Sequence, residues 1–123
     1  MGPEKTFENK VKDFLIKNGI YPLGIERNKM TITPIGYYEK RFANRNTKKG
    51  LPDMHVSILG KTLEIELKSD NGKPSELQLH MCYQIIASGA KCCILYPSGF
   101  EEFKSIIKNM SFEKDVYFPL IIH

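Results

Sequence analysis

The chain has 123 residues, 41% of them hydrophobic and 26% charged, the balance of one globular domain with a modest core. Eighteen Lys and Arg against fourteen Asp and Glu leave a formal net charge of +4, a mild bias toward anionic partners that identifies none of them. The longest stretch free of charged residues, 77–90, contains Gln78, His80, Gln84 and Ser88, which excludes a membrane-spanning helix there. Cys82, Cys92 and Cys93 lack a C-x-x-C spacing, so they fit buried apolar filler in a reducing, cytoplasmic setting better than a disulfide framework or a zinc site. The N-terminus has no apolar secretory run, and Pro3 spoils the myristoylation pattern formed by Met1, Gly2 and Thr6.

Phe7, Val11, Phe14 and Leu15 fall at i, i+4, i+7 and i+8, predicting an amphipathic helix over 6–18 that stops at Asn18-Gly19. The segment 20–50 is irregular, broken by Pro22 and Pro34, with strand-like pieces at 30–35 and 36–42. Met54, Val56 and Ile58 alternate with His55, Ser57 and Leu59; Gly60-Lys61 breaks the run and 62–68 alternates again, predicting an antiparallel hairpin. Ser75 and Gln78 form an S-x-x-Q capping box opening a helix to about Ser88, closed by Gly89. A short apolar strand over 91–96 follows by helical crossover, and Ser98 with Glu101 repeats the capping-box spacing ahead of a helix to about Asn109. The apolar tail 116–122, with Tyr117, Phe118, Leu120, Ile121 and Ile122, suits an edge strand or a subunit contact. The order is that of an α/β domain.

Side chains alternate across a strand, so Leu63, Ile65 and Leu67 share one face of the second hairpin strand and Glu64, Glu66 and Lys68 the other. That charged face is either a solvated exterior with a weak ion pair or a site. Pro52-Asp53 opens the partner strand, and the turn brings Asp53 back beside Glu66. Two converging carboxylates disfavour each other's ionisation unless a cation lies between them. Carboxylates, a backbone carbonyl and water are the ligand set of Mg²⁺ or Mn²⁺, and with Lys68 alongside they point to metal-assisted phosphodiester hydrolysis.

Pro52-Asp53 followed by Glu66-Leu67-Lys68 resembles the PD-(D/E)xK motif of the restriction-endonuclease-like nucleases. Gly50-Leu51-Pro52-Asp53, the strand Glu64-Ile65-Glu66-Leu67-Lys68-Ser69, the loop Gly72-Lys73-Pro74-Ser75 and the helix start Glu76-Leu77-Gln78 together resemble the virus-type replication-repair nuclease (VRR-NUC) domain. Gly36-Tyr37-Tyr38-Glu39-Lys40-Arg41 is similar to its short stand-alone form in phages and prophages. The resemblance covers residues 6–103, leaving 104–123 as an extension of a single domain over 1–123. It implies a restriction-endonuclease-like αβββαβ core with a central mixed sheet flanked by helices. It also implies that Asp53, Glu66 and the Leu67 carbonyl hold Mg²⁺ or Mn²⁺, that Lys68 serves the attacking water, and that Gln78 supports the site. Glu8 on the first helix matches the position of a further acidic residue in the family, although a glutamate there also suits the helix dipole. Gln78 is equally explained by its capping box, and the two roles are compatible. Glu64 falls outside the motif, pairs with a basic side chain on this reading, and is the acidic residue expected to tolerate replacement best.

Lys40, Arg41, Arg45, Lys48 and Lys49 cluster ahead of Asp53, interleaved with Tyr37, Tyr38 and Phe42, a concentration suited to DNA phosphates. His55 shares a strand face with Asp53 and is either structural or part of the site. No nucleotide-binding glycine pattern occurs, so no nucleotide cofactor is expected. The resemblance implies a homodimer acting on branched DNA such as Holliday junctions, inside a bacterial cell for a phage-encoded chain, and no membrane partner. A monomeric flap or nicking nuclease and a non-catalytic DNA-binding module are the alternatives.

Overall fold

In a computed structural model, the structure describes residues 2–42, 48–109 and 119–123. Helix α1 spans Pro3–Lys17 and starts earlier than the hydrophobic period indicates, because a proline in the first turn has no N–H to leave unsatisfied. It buries Phe7, Val11, Phe14 and Leu15, and also Glu8.

The chain turns at Gly19 directly into β1, Ile20–Pro22, a strand too short to leave an alternating signal. The expected strand-like piece at 30–35 is instead irregular, following a 3-10 turn at Arg27–Lys29. The Tyr21 hydroxyl holds it, accepting from the N–H of Ile32 at 3.1 Å and donating to its carbonyl at 3.2 Å. Strand β2 is Gly36–Lys40. The hairpin forms as predicted from β3, Met54–Ile58, and β4, Lys61–Leu67, but its two-residue turn is Leu59-Gly60, one position earlier than expected, with Ile58 paired to Lys61.

Helix α2, Glu76–Ala87, opens on the predicted capping box and leads to β5, Lys91–Leu95, parallel to β4. Ser98 sits inside a 3-10 turn, Pro97–Gly99, so it does not cap α3, Phe100–Asn109, as its spacing with Glu101 suggests. The tail contributes β6, Leu120–Ile122, a parallel edge strand on β5. Ile122 is buried there while Ile121 is exposed; Tyr117 and Phe118 lie outside the described residues.

The six strands lie in sequential order, parallel at β1–β2, antiparallel through β2–β3–β4, and parallel through β4–β5–β6. The fold is α/β, a mixed sheet flanked by helices. One sheet face, with Val56, Ile65, Cys93 and Leu95, belongs to the same core as Val11 and Leu15 of α1 and Phe103 and Ile107 of α3. The other carries a smaller cluster of Cys82 and Ile86 from α2 with Cys92, Ile94 and Tyr96. All three cysteines are buried and free, as apolar filler should be. Among the described residues no helix is long and apolar enough to cross a membrane.

Leu59 has φ +48 and is exposed, a backbone region that costs a β-carbon-bearing residue free energy but suits asparagine. Leu59→Asn is therefore expected to raise the unfolding free energy by about 0.5–1 kcal/mol, measured by urea denaturation.

Candidate functional site

Register creates the site. Met54 pairs with Ile65 across the hairpin, so Asp53, one step before β3, faces Glu66 on β4. Where β3 no longer supplies a ladder partner, the Asp53 carboxylate takes its place: Oδ2 accepts from the Leu67 N–H at 2.8 Å. Glu66 lies on the face that α2 covers, beside Ile94 of β5, and is only 3% exposed. Its Oε2 accepts from Gln78 Nε2 at 2.8 Å and lies 3.6 Å from Lys68 Nζ. Its Oε1 is buried and has no hydrogen-bond partner among the described residues, a condition that few native polar atoms sustain.

Gln78 unites its two expected roles. Its Oε1 accepts from the Ser75 N–H at 2.9 Å while its N–H donates to Ser75 Oγ at 3.1 Å, which leaves Nε2 to hold Glu66. The helix cap therefore fixes the rotamer of a site carboxylate.

Glu8 enters from α1 on the opposite side. Its Oε2 meets Lys5 at 2.8 Å and Lys12 at 2.9 Å, and its Oε1 meets Lys40 at 3.0 Å; Lys40 also lies 3.8 Å from Asp53 Oδ1. Glu4, Glu8, Lys40, Asp53, Glu66, Leu67, Lys68 and Gln78 together line a cleft of about 260 Å³, room for an ion and a few waters.

Two of the buried carboxyls, Glu66 and Glu8, are driven in opposite directions. Burial and then the charge of Asp53 push the Glu66 carboxyl up to about 7, with Lys68 pulling only partly back. Burial also opposes ionisation of Glu8, but hydrogen bonds from Lys5, Lys12 and Lys40 outweigh it and hold that carboxyl at about 2. Glu66 is thus short of positive charge and Glu8 is surrounded by it. A divalent ion fits the first deficit: Asp53 and Glu66 are two hard oxygen donors, and the Leu67 carbonyl is beside them. Glu8 does not fit as a third ligand, because both of its oxygens are engaged by ammonium groups. Consistently, no group of three or more His, Cys, Asp or Glu arranged to hold a metal occurs among the described residues.

The basic cluster divides. Arg41 turns inward, contrary to its expected place on DNA: its guanidinium grips Glu64 in a bidentate pair at 2.7 and 3.0 Å and donates to the Pro52 carbonyl at 2.9 Å. Its own N–H donates to the Asp53 carbonyl at 2.7 Å. Arg41 is therefore a clamp on Pro52-Asp53. Lys40 belongs to the cleft, Lys48 and Lys49 are exposed, and Arg45 lies outside the described residues. His55 serves Glu64, with Nδ1 at 3.1 Å from Oε1, and its Nε2 lies 3.5 Å from the Tyr37 hydroxyl. Glu64 itself is buried and pairs with a basic side chain, as expected, so its replacement strands a guanidinium, which sets this geometry against the expectation that it tolerates change best. The Arg41 clamp was legible in principle, since Arg41 and Glu64 lie on the same sheet face once the register is known. Lys5 and Lys12 were overlooked, although their i−3 and i+4 spacing from Glu8 places all three on one helical face.

Compared with known proteins, the chain matches no family model and no curated protein.

Glu64→Ala leaves a partly buried guanidinium unpaired and is expected to cost about 2–4 kcal/mol of stability. Glu66→Gln should do the reverse in metal-free protein. A carboxyl raised from 4.5 to about 7 loses stability as pH climbs between those values, where the unfolded chain has released its proton and the folded chain has not. The thermal advantage of Glu66→Gln should open across that window, reach on the order of 3 kcal/mol, and stay level at higher pH, as followed by melting curves in EDTA.

Proposed function

We propose that this chain is a Mg²⁺- or Mn²⁺-dependent nuclease of the restriction-endonuclease-like class, a VRR-NUC-type domain acting as a structure-selective DNA endonuclease. The observation that carries this reading is the Asp53–Glu66 pair, with one buried Glu66 oxygen lacking a partner among the described residues and Lys68 Nζ 3.6 Å from the other. The mixed sheet with helices on both faces is compatible with that fold, and the linked segments around Asp53, Glu66, Lys68 and Gln78 supply the resemblance. Branched DNA as substrate and a homodimer as the working form extend the same reading, because a two-fold assembly presents paired sites to a junction with related strands.

Asp53, Glu66 and the Leu67 carbonyl would hold the ion. When bound, it supplies Lewis acidity toward a phosphate oxygen and lowers the pKa of a coordinated water. The remaining work falls to side chains. Gln78 keeps Glu66 in the cleft, and Arg41 keeps Asp53 there by fixing the backbone on both sides of it. Lys68 presents an ammonium to the attacking water and to the charge that develops on the phosphate. Water is the nucleophile, so the bond cleaved leaves one strand end with the phosphate and the other with a hydroxyl.

The test is cleavage of matched junction, flap, linear DNA and RNA substrates with Mn²⁺. Junction DNA is expected to be cut symmetrically by a protein of dimeric mass. Asp53→Ala, Glu66→Ala and Lys68→Ala should each reduce cutting by at least about 100-fold while DNA binding persists. Full activity of either carboxylate variant, or salt-sensitive binding with no cleavage by the wild-type chain, would overturn the assignment. Preference for RNA or for flaps with a monomeric mass would overturn its junction-resolving form.

A further inference from the structure

We infer that Lys5, Lys12 and Lys40, gathered on Glu8 at the edge of the cleft, form a binding site for a backbone phosphate of the nucleic-acid strand, next to the phosphate that is cut. The inference rests on the nuclease reading and adds a substrate grip to it on a helix that the basic-loop pattern does not include.

The first observation is charge stoichiometry. One buried carboxylate needs one counter-charge, yet three ammonium groups lie within 3.0 Å of it. Lys5 and Lys12 both reach the same oxygen, so like charges are held close together. Glu4, exposed, lines the same rim. Once a divalent ion takes up the charges of Asp53 and Glu66, the α1 side of the cleft carries an excess of positive charge. A phosphate relieves that excess with several acceptor oxygens.

The second observation is location. Lys40 contacts both Glu8 and Asp53, joining the cluster to the proposed metal site. Lys5 retains half of its side-chain exposure and Lys12 about a fifth, so an anion reaches them from solvent. The third is the loss of the rival grip: Arg41 is spent on Glu64 and Pro52. The loop lysines that remain described, Lys48 and Lys49, precede Gly50, which packs against Leu77 and Met81 of α2. Cations on α1 and cations beside α2 therefore flank the cleft from the two sides of the sheet, and a strand passing between them lays one phosphate on each side of the one at the metal.

The experiment is salt-dependent binding of a short duplex oligonucleotide at a fixed Ca²⁺ concentration, a hard ion that carboxylate oxygens take, read by fluorescence anisotropy with the oligonucleotide checked to be intact afterwards. For Lys5→Gln/Lys12→Gln, the slope of log K against log salt is expected to fall by about one, roughly 0.9 for the one phosphate the cluster holds. Lys5→Arg/Lys12→Arg is expected to restore the wild-type slope. Lys61→Gln/Lys91→Gln, at the opposite end of β4, is expected to leave it unchanged. An unchanged slope in the first variant, or an equal loss in the last, overturns the inference. Should the double variant melt below the assay temperature, Lys5→Gln alone decides the question by losing part of that unit of slope or none. Failure here leaves the loss of cleavage expected of the Asp53 and Glu66 variants untouched, so the two readings fall separately.

Discussion

Burying one carboxylate beside another is the constraint around which this fold is arranged. Glu66 sits under α2, next to Asp53, with an oxygen that nothing among the described residues satisfies. Such a group costs stability unless a cation arrives, so the surrounding packing has to hold it in place. That packing is substantial. The sheet core against α1 and α3 is continuous, the α2 face adds a second cluster, and the hairpin register leaves Asp53 nowhere else to go.

Glu64 and Glu66 show how two acids on one strand face acquire different roles. Both are buried and only two residues apart. Glu64 has a bidentate arginine and a histidine, and the arginine extends to the backbone at Pro52 and Asp53. It is a structural ion pair whose output is the position of Asp53. Glu66 has an amide, a lysine at longer range and an open oxygen. Burial is similar, so the difference lies in how many donors each oxygen finds. Glu8 marks the other extreme, a carboxylate with more cations than it needs.

Much of this was legible in the sequence. Alternation over 54–58 and 62–68 located the hairpin, and the hairpin alone brought Asp53 to Glu66. The Ser75–Gln78 spacing placed α2, and the resemblance marked Gln78 as a site residue, but its bond to Glu66 is a tertiary contact that the spacing does not give. What escaped were features that depend on tertiary contacts. β1 is three residues long and has no period to detect. The segment 30–35 has strand-like composition, yet a tyrosine hydroxyl takes up its backbone groups. Charge alone does not tell whether Arg41 points at solvent or at Glu64, since both are reached from the same strand end. Ser98 has the right spacing for a cap but lies where Pro97 starts a 3-10 turn.

The most direct measurement of the central claim is anomalous diffraction at the manganese edge from crystals soaked in Mn²⁺. A single peak within coordination distance of the Asp53 and Glu66 carboxylates and the Leu67 carbonyl, at about 2.0–2.3 Å, is the result expected. An empty cleft with Glu66 still unpartnered, or a manganese bound only elsewhere on the molecule, would contradict it.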